Sequence, residues 1–312
     1  MALPDFVTVP LEPGLTEALA GVPAAAGVGQ VLGPEGRNLV IGRAANLRRW
    51  AVSRLGRGKP APRGQRPPLD LSPVATAVAH AATTSPFQQR LVYERLMARH
   101  VPPSDRRDLR PPAFLHLDPT ERFPRLVVRR IEQGTEGLFG PFRDRRAAEK
   151  ARDALHHTHP LRPCDYTFEP DPALPLGLGC LYAQVRSCAA PCLARVTEQD
   201  YRALAARVAE ALARSDQRAG DSPLPPWVAA AGGRGVVVAR SASGVELYPV
   251  RAGRVLDRAS VVAPADGWQA ALESLAWDED PPLADTVGDW PWLSAWLHSP
   301  AGRGSWIARP AP

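Results

Sequence analysis

Near the amino terminus, two short apolar runs are separated by a polar segment that contains Pro and Gly. The runs are 27–32 (GVGQVL) and 38–42 (NLVIG), and the link between them is 34–37 (PEGR). This pattern predicts a β-hairpin, because Pro and Gly favour turns and the apolar runs favour strands. The basic segment that follows, residues 43–50, is predicted to form a helix.

The segment 85–99 predicts a second helix, since it opens with a favoured N-cap residue and a proline at its first position. At helical spacing Phe87, Leu91 and Glu94 lie on one face, so a carboxylate interrupts an apolar stripe. An isolated buried carboxylate is costly. Glu94 is therefore expected either to bind a cation or to pair with a neighbouring arginine such as Arg90.

Periodic segments continue through the rest of the chain. In order, the pattern predicts strands at 125–131 and 137–142, helices at 145–157 and 198–214, a β-meander over 235–258, and helices near 268–275 and 290–297. Segments rich in Pro, Gly and polar residues interrupt them at 57–73, 101–112 and 216–226. The first is interpreted as an insertion, and the other two mark domain boundaries.

The four cysteines of the 312-residue chain all lie in one window of 29 residues, spaced C-x15-C-x7-C-x3-C. The chain opens without the pattern of a signal peptide, so we expect a reducing cytoplasm, where disulfides are rare. Zinc sites usually show two short Cys–Cys gaps, and only the last gap here is short. An iron–sulfur cluster tolerates wider gaps, and ordinary buried thiols are the remaining alternative.

The residues around these cysteines resemble the cysteine-rich middle of the UvrC family of nucleotide-excision-repair endonucleases, including its short relative Cho. The matching motifs are, in order, Leu138–Phe142 (LFGPF), Pro160–Cys164 (PLRPC), Cys180–Tyr182 (CLY), Cys188–Cys192 (CAAPC) and Thr197–Tyr201 (TEQDY). The resemblance implies a 4Fe–4S site with Cys164, Cys180, Cys188 and Cys192 as ligands, and zinc is the alternative metal.

The predicted hairpin and the basic segment after it resemble the GIY-YIG nuclease module at the front of UvrC proteins. The family's two tyrosines align with Gly29 and Val40, neither of which can carry a proton. Its lysine aligns with Arg43 and its helix arginine with Trp50. The resemblance therefore implies a degenerate nuclease module, since a nuclease needs a general base and a metal-binding carboxylate.

The same resemblance assigns roles to particular residues. Glu94 occupies the position of the family's metal ligand and would hold Mg²⁺ or Mn²⁺ if the module is active. Arg43 and Arg49 would complete the catalytic set with it. Contacts with DNA are assigned to Arg43, Asn46, Arg48 and Arg49.

Charge agrees with a nucleic-acid partner. The formal net charge is +6 with a pI of about 9.5, and Lys59 and Lys150 are the only lysines. Arginine favours bidentate phosphate contacts, although GC-rich coding also raises the arginine count. No apolar stretch is long enough to cross a membrane, so no membrane partner and a cytoplasmic location are expected.

Together these features predict an α/β and α+β chain with three domains. They are a small GIY-YIG-like sheet with flanking helices (1–105), a cysteine-rich module with its following helix (113–215) and an α+β domain (227–312). The expected function is that of a UvrC/Cho-like DNA-repair protein that binds DNA through a degenerate nuclease module. The alternative is an active Cho-type endonuclease making one metal-dependent incision in damaged DNA. A damage-loading helicase is an expected protein partner.

Overall fold

A computed structural model of the chain describes residues 4–12, 14–56, 69–106, 112–130, 137–213, 229–230, 234–257, 260–277 and 288–309. The predicted break at 216–226 and most of the predicted insertion at 57–73 lie outside these residues. The strands are β1 (Val7–Pro10), β2 (Gly27–Leu32), β3 (Asn38–Ala44), β4 (Ala77–Ala82), β5 (Ala113–Leu117), β6 (Leu126–Arg130), β7 (Leu138–Phe142), β8 (Ala229–Ala230), β9 (Arg234–Ser241), β10 (Gly244–Arg251), β11 (Arg254–Val255), β12 (Val261–Ala263) and β13 (Trp306–Arg309). The helices are α1 (Leu15–Gly21), α2 (Leu47–Arg54), α3 (Pro86–His100), α4 (Arg145–Thr158), α5 (Leu181–Gln184), α6 (Glu198–Ala213), α7 (Trp268–Glu273) and α8 (Trp290–Leu297).

The mixture of small antiparallel sheets and helices agrees with the α+β class. Contacts divide the chain into two compact units. The first consists of Met1–Asp108, Ala239–Leu247 and Ser260–Leu275, and the second consists of Leu109–Val238, Tyr248–Ala259 and Ala276–Pro312. The C-terminal third is thus shared between the units, and the three-domain division stays a prediction. None of the helices that the structure describes is long and apolar enough to span a membrane.

The first unit is built on a four-stranded antiparallel sheet in the order β1-β4-β2-β3. The hairpin β2–β3 confirms the sequence prediction, and its register pairs Gly29 with Gly42. Helix α2 covers one face of this sheet, where Leu47 and Ala51 pack against Val31. Because β-strand side chains alternate between faces, Val28 lies on the opposite face.

The predicted helix at 43–50 is wrong at its start. Arg43 is the sixth residue of β3 and pairs with Val28, so the strand continues past the predicted helix start. The helix begins at Leu47, one residue after its N-cap Asn46, whose side chain accepts a hydrogen bond from the backbone N–H of Arg49 at 2.9 Å.

Helix α3 begins as predicted, with Ser85 as N-cap and Pro86 at its first position. The Ser85 hydroxyl accepts a hydrogen bond from the Gln88 N–H at 3.1 Å. Glu246 on β10 is fully buried in the same unit, and its carboxylate accepts hydrogen bonds from the hydroxyls of Thr84 and Ser85. A residue far along the chain therefore holds the amino-terminal end of α3.

The second unit contains a four-stranded antiparallel sheet in the order β6-β5-β7-β8. Strands β6 and β7 confirm the two predicted strands, but they do not pair with each other, because β5 lies between them and is buried along its whole length. Helices α4 and α6 lie where the pattern predicted them. Helix α4 packs against β5, β6 and β7, which covers one face of the sheet.

The C-terminal strands and helices also agree with the predicted meander and its helices. Within the first unit, β12 pairs antiparallel with the start of β10. Within the second unit, β11 pairs with the end of β10, and β13 pairs with β9. Trp290 and Trp292 of α8 are buried, and the Trp292 indole donates to the Asp289 carboxylate at 2.9 Å. These two tryptophans are core residues.

Candidate cysteine site and nuclease-like site

Backbone contacts bring the first and third cysteine segments together. The N–H of Ala189, next to Cys188, donates to the carbonyl oxygen of Pro160 at 2.8 Å. The N–H of Arg162 donates to the hydroxyl of Tyr201 at 2.7 Å, and that hydroxyl donates to Pro124. The PLRPC and CAAPC segments are therefore fastened to each other and to helix α6.

Arg162 organises the backbone around Cys164. Its guanidinium is 9% exposed and donates to the carbonyl oxygens of Phe123 at 2.7 Å and of Cys164 and Tyr166 at 3.1 Å each. Glu121 pairs with it at 3.1 Å. The role of Arg162 is not evident from the sequence, where the one signal is a charged residue between two prolines, two positions before Cys164.

Cys188 is buried and the other three cysteines are partly buried. The N–H of Ala190 donates to the Cys188 sulfur at 3.3 Å. Ala190 and Ala194 adopt the left-handed backbone conformation, with φ of 54° and 48°. These two residues bracket a single turn of 3-10 helix that contains Cys192, so the last two cysteines lie on a tightly curved loop.

Burial raises the pKa of the Cys188 thiol to about 11, the Ala190 N–H opposes the rise, and the charges of the other three cysteines add to it. Burial also raises the pKa of Cys192. Such thiols ionise at neutral pH only beside a cation. Four thiols are the donor type of a four-thiolate metal site, but no group of three or more Cys, His, Asp or Glu side chains among the described residues is arranged to hold a metal ion.

The face of the first sheet that carries Gly29 and Gly42 is covered by the indole of Trp50. A Cβ atom at Gly29 would lie 2.4 Å from Cζ3 of Trp50, and one at Gly42 would lie 2.4 Å from its Nε1. No Cβ can occupy such space without moving the ring. Trp50 therefore packs directly on bare backbone at the two positions where the hairpin strands face each other.

Replacing Gly29 with alanine should lower the free energy of unfolding by about 1–3 kcal/mol, because the methyl group must displace Trp50. Denaturant unfolding measures this loss. Gly14→Ala is the matched control, since a Cβ at Gly14 has no atom within 4 Å. In a double-mutant cycle with Trp50→Ala, we expect a coupling of about 1 kcal/mol or more. Additive effects would contradict the described packing.

His80 on β4 is the direct partner of Gly29, so it lies on the same face as Trp50. It is buried, and burial lowers the pKa of its imidazole. The ring is therefore neutral at neutral pH. The sequence analysis did not single out His80, because only the pairing of β2 with β4 brings it beside Gly29.

Glu94 is 2% exposed, and its carboxylate pairs with two arginines. Arg90 Nη2 lies 2.6 Å from Oε1, and Arg106 donates to Oε2. The ion pair with Arg90, which the sequence left open as an alternative to metal binding, is present. Metal binding by Glu94 stays a prediction.

The four residues assigned to DNA contact differ in their surroundings. The exposed guanidinium of Arg43 lies over the ring of Tyr93, 5.2 Å from its centroid, on the sheet face opposite to Gly42. Arg49 is exposed on α2, and Asn46 caps that helix. The sheet therefore separates Arg43 from Trp50 and His80.

The side chain of Arg48 has a structural role. Its Nε donates to the carbonyl oxygen of Val22 at 2.8 Å and its Nη2 donates to that of Ala20 at 3.0 Å. These carbonyl groups lie at the end of α1, where helix carbonyls have no partner within the helix. Arg48 thus fastens α1 to α2, and a further contact with DNA stays a prediction.

Comparison with known proteins finds a family match over the cysteine-rich part of the second unit. Residues 113–213 match a family model described as the middle domain of UvrC/Cho excinuclease. The UvrABC system protein C of Sphingopyxis alaskensis is 30% identical over 186 residues, which cover 59% of this chain and 28% of the relative. That of Rhodospirillum rubrum is 30% identical over 210 residues, covering 64% of this chain and 31% of the relative.

The matched region is the part of the second unit that holds all four cysteines and the residues that position them. This region is similar to the middle domain of the UvrC/Cho family, and the similarity to UvrC proteins extends over more than half of the chain. It spans less than a third of the length of these two relatives. No solved structure matches the chain.

Proposed function

We propose that this protein acts in nucleotide excision repair as a DNA-binding member of the UvrC/Cho family whose degenerate nuclease-like module cuts DNA very weakly or not at all. The observation that carries the proposal is the joining of the PLRPC and CAAPC segments by the Ala189–Pro160 hydrogen bond, within the region that matches the UvrC middle domain. This contact joins two of the three cysteine segments that the family resemblance assigns to an iron–sulfur site.

Cys164, Cys180, Cys188 and Cys192 are the proposed ligands of a 4Fe–4S cluster, with zinc as the alternative. When bound, the metal group would cross-link the segments between α4 and α6 and couple ligation to folding. Arg162 would hold Cys164 in place through its carbonyl oxygen, and the Ala190 N–H would donate to the Cys188 sulfur. These contacts restrict the ligand segments before metal binds.

Loss of cleavage is proposed from the contacts of the nuclease-like module. Trp50 fills the space above Gly29 and Gly42, where a tyrosine side chain at position 29 would have to lie. Glu94, the aligned metal ligand, is engaged by two guanidinium groups. Arg43 stands on the other face of the sheet from Trp50. These residues are better suited to stabilising the fold and binding a phosphate group than to activating water.

An active Cho-type endonuclease, making one incision with Mg²⁺ or Mn²⁺ on Glu94, is the second candidate. His80 offers this candidate a neutral imidazole opposite Gly29, which is a chemically competent general base, on the sheet face that lies away from Arg43. The relatives are named as components of a UvrABC system. We therefore propose DNA and the other proteins of that system, including a damage-loading helicase, as partners.

DNA binding is expected to weaken steeply as salt increases, because phosphate contacts release counterions. Replacing Arg43 and Arg49 with alanine should reduce the magnitude of the slope of log affinity against log salt by about 1 per lost phosphate contact. Fluorescence anisotropy with a labelled duplex at several salt concentrations measures both quantities.

Arg37→Ala is the matched control, since Arg37 lies at the hairpin turn, about 20 Å along β3 from Arg43. It should leave the slope unchanged. Arg48→Ala should lower stability more than affinity, because its guanidinium caps α1. An affinity that is independent of salt, or unchanged in the Arg43/Arg49 double variant, would contradict this DNA-binding surface.

A further inference from the structure

A cavity of about 410 Å³ lies beside α4 in the second unit, apart from the cysteines. Its volume falls within the range of small-molecule sites, which is roughly 300–1,000 Å³. One wall is apolar and consists of Phe142 and three alanines of α4, Ala147, Ala151 and Ala154. The alanines lie on one helical face and have short side chains, so the wall can receive a flat ring.

Two of the remaining lining residues, Arg143 and Lys150, are cationic, and no acidic residue is among the described residues that line the cavity. Arg143 is 70% exposed at its side chain, and its Nε donates to the Asp144 carboxylate at 3.0 Å. The other oxygen of Asp144 caps α4 by accepting from the Ala147 N–H at 2.8 Å. Lys150 is exposed. Both oxygens of Asp144 are thus engaged, and the rim presents two cations to an anion.

His298 completes the lining from the end of α8. Its Nδ1 lies 2.8 Å from the carbonyl oxygen of Ser294, an acceptor, which assigns the proton to Nδ1. Burial lowers the pKa of His298, and Arg143 adds to that effect.

We propose that this cavity binds a nucleoside monophosphate unit, with the base against the apolar wall and the phosphate at Arg143 and Lys150. Arginine and lysine both bind phosphate, and a base supplies a flat ring that fits the apolar wall. The source of the unit is an unpaired nucleotide of DNA, and this assignment of the source rests on the proposed function. A free nucleotide offers the same chemistry from a second source.

Three probes separate these sources: a labelled duplex with one unpaired adenosine, the same duplex fully paired, and free 2-aminopurine nucleoside 5′-monophosphate. Anisotropy of the full chain should show about tenfold tighter binding of the duplex with the unpaired nucleotide, as expected when one base gains a stacking surface. Lys150→Glu should abolish this preference. Ala154→Phe, which fills the cavity without changing charge, should do the same.

Arg146→Glu is the matched control, because Arg146 is exposed on α4 outside the cavity lining. It should weaken binding of both duplexes equally. Equal wild-type affinity for both duplexes, without binding of the free nucleotide, would overturn the cavity inference and leave the proposed function intact. If neither duplex binds, the proposed function fails. In that case, binding of the free nucleotide by the wild type that is lost in Lys150→Glu would still support the cavity as a nucleotide site. If the free nucleotide does not bind either, both the cavity inference and the proposed function are overturned.

Discussion

Replacing Cys188 with serine is expected to strip the protein of its metal and to lower its free energy of unfolding by at least about 4 kcal/mol. Cys188 is the most buried of the four proposed ligands, and its loop is hydrogen-bonded to the segment that carries Cys164. Ligation and folding are coupled at such a site, so a lost ligand weakens both. Metal analysis and denaturant unfolding, on anaerobically purified protein, measure the two effects.

Ser187→Ala is the control for this substitution. It changes the neighbouring residue and removes one hydroxyl, whose 3.3 Å hydrogen bond to the Tyr182 carbonyl oxygen contributes little. It should retain the metal and most of the stability. A Cys188→Ser protein with full metal content and wild-type stability would show that Cys188 is not a ligand of the metal.

The wild-type protein should nick damaged or flapped DNA very weakly with Mg²⁺ or Mn²⁺. General acid–base assistance is worth about 10²–10⁴ in rate, and Gly29 and Val40 cannot supply it. Trp50 also covers the backbone at Gly29. Single-turnover nicking of a labelled duplex, at protein concentrations that saturate binding, separates slow chemistry from weak binding.

Two variants decide whether any nicking belongs to this protein. Robust multiple-turnover nicking that disappears in both Glu94→Gln and His80→Ala would support the active Cho-type endonuclease and overturn the non-cutting proposal. Glu94→Gln is preferable to alanine, because it keeps the shape of a side chain that contacts Arg90 and Arg106. Residual nicking that is unchanged in both variants points to a contaminating nuclease.

Elements with a local signal were predictable. The β2–β3 hairpin has a Pro/Gly link between apolar runs, and α3 has a favoured N-cap and a proline at its first position. β4 was not predicted, because its sequence AVAHAA is dominated by alanine, which is depleted in strands. Its pairing with β1 and β2 makes it a strand. Pairing also extends β3 to Ala44, although Asn46 carried a helix-start signal.

Only those features of the candidate sites that depend on residues close together in the sequence could be predicted. The cysteines were recognisable from their spacing and from the motifs that flank them. Glu94 was recognisable from its position in an apolar stripe. The packing of Trp50 on Gly29 and the bonds of Arg162 to Phe123 join residues that are distant in sequence. Glu246 and Ser85 are 161 positions apart. Such contacts depend on the assembled fold, and no local periodicity encodes them.

The most direct test of the account is iron and acid-labile sulfide analysis of the full chain, purified anaerobically. The proposed 4Fe–4S site predicts about four irons and about four sulfides per chain, bound through the four cysteines. Cys164→Ser should lower both values together. One zinc per chain without sulfide would contradict the iron–sulfur site, and a wild-type chain without bound metal would contradict the account of the cysteine-rich unit.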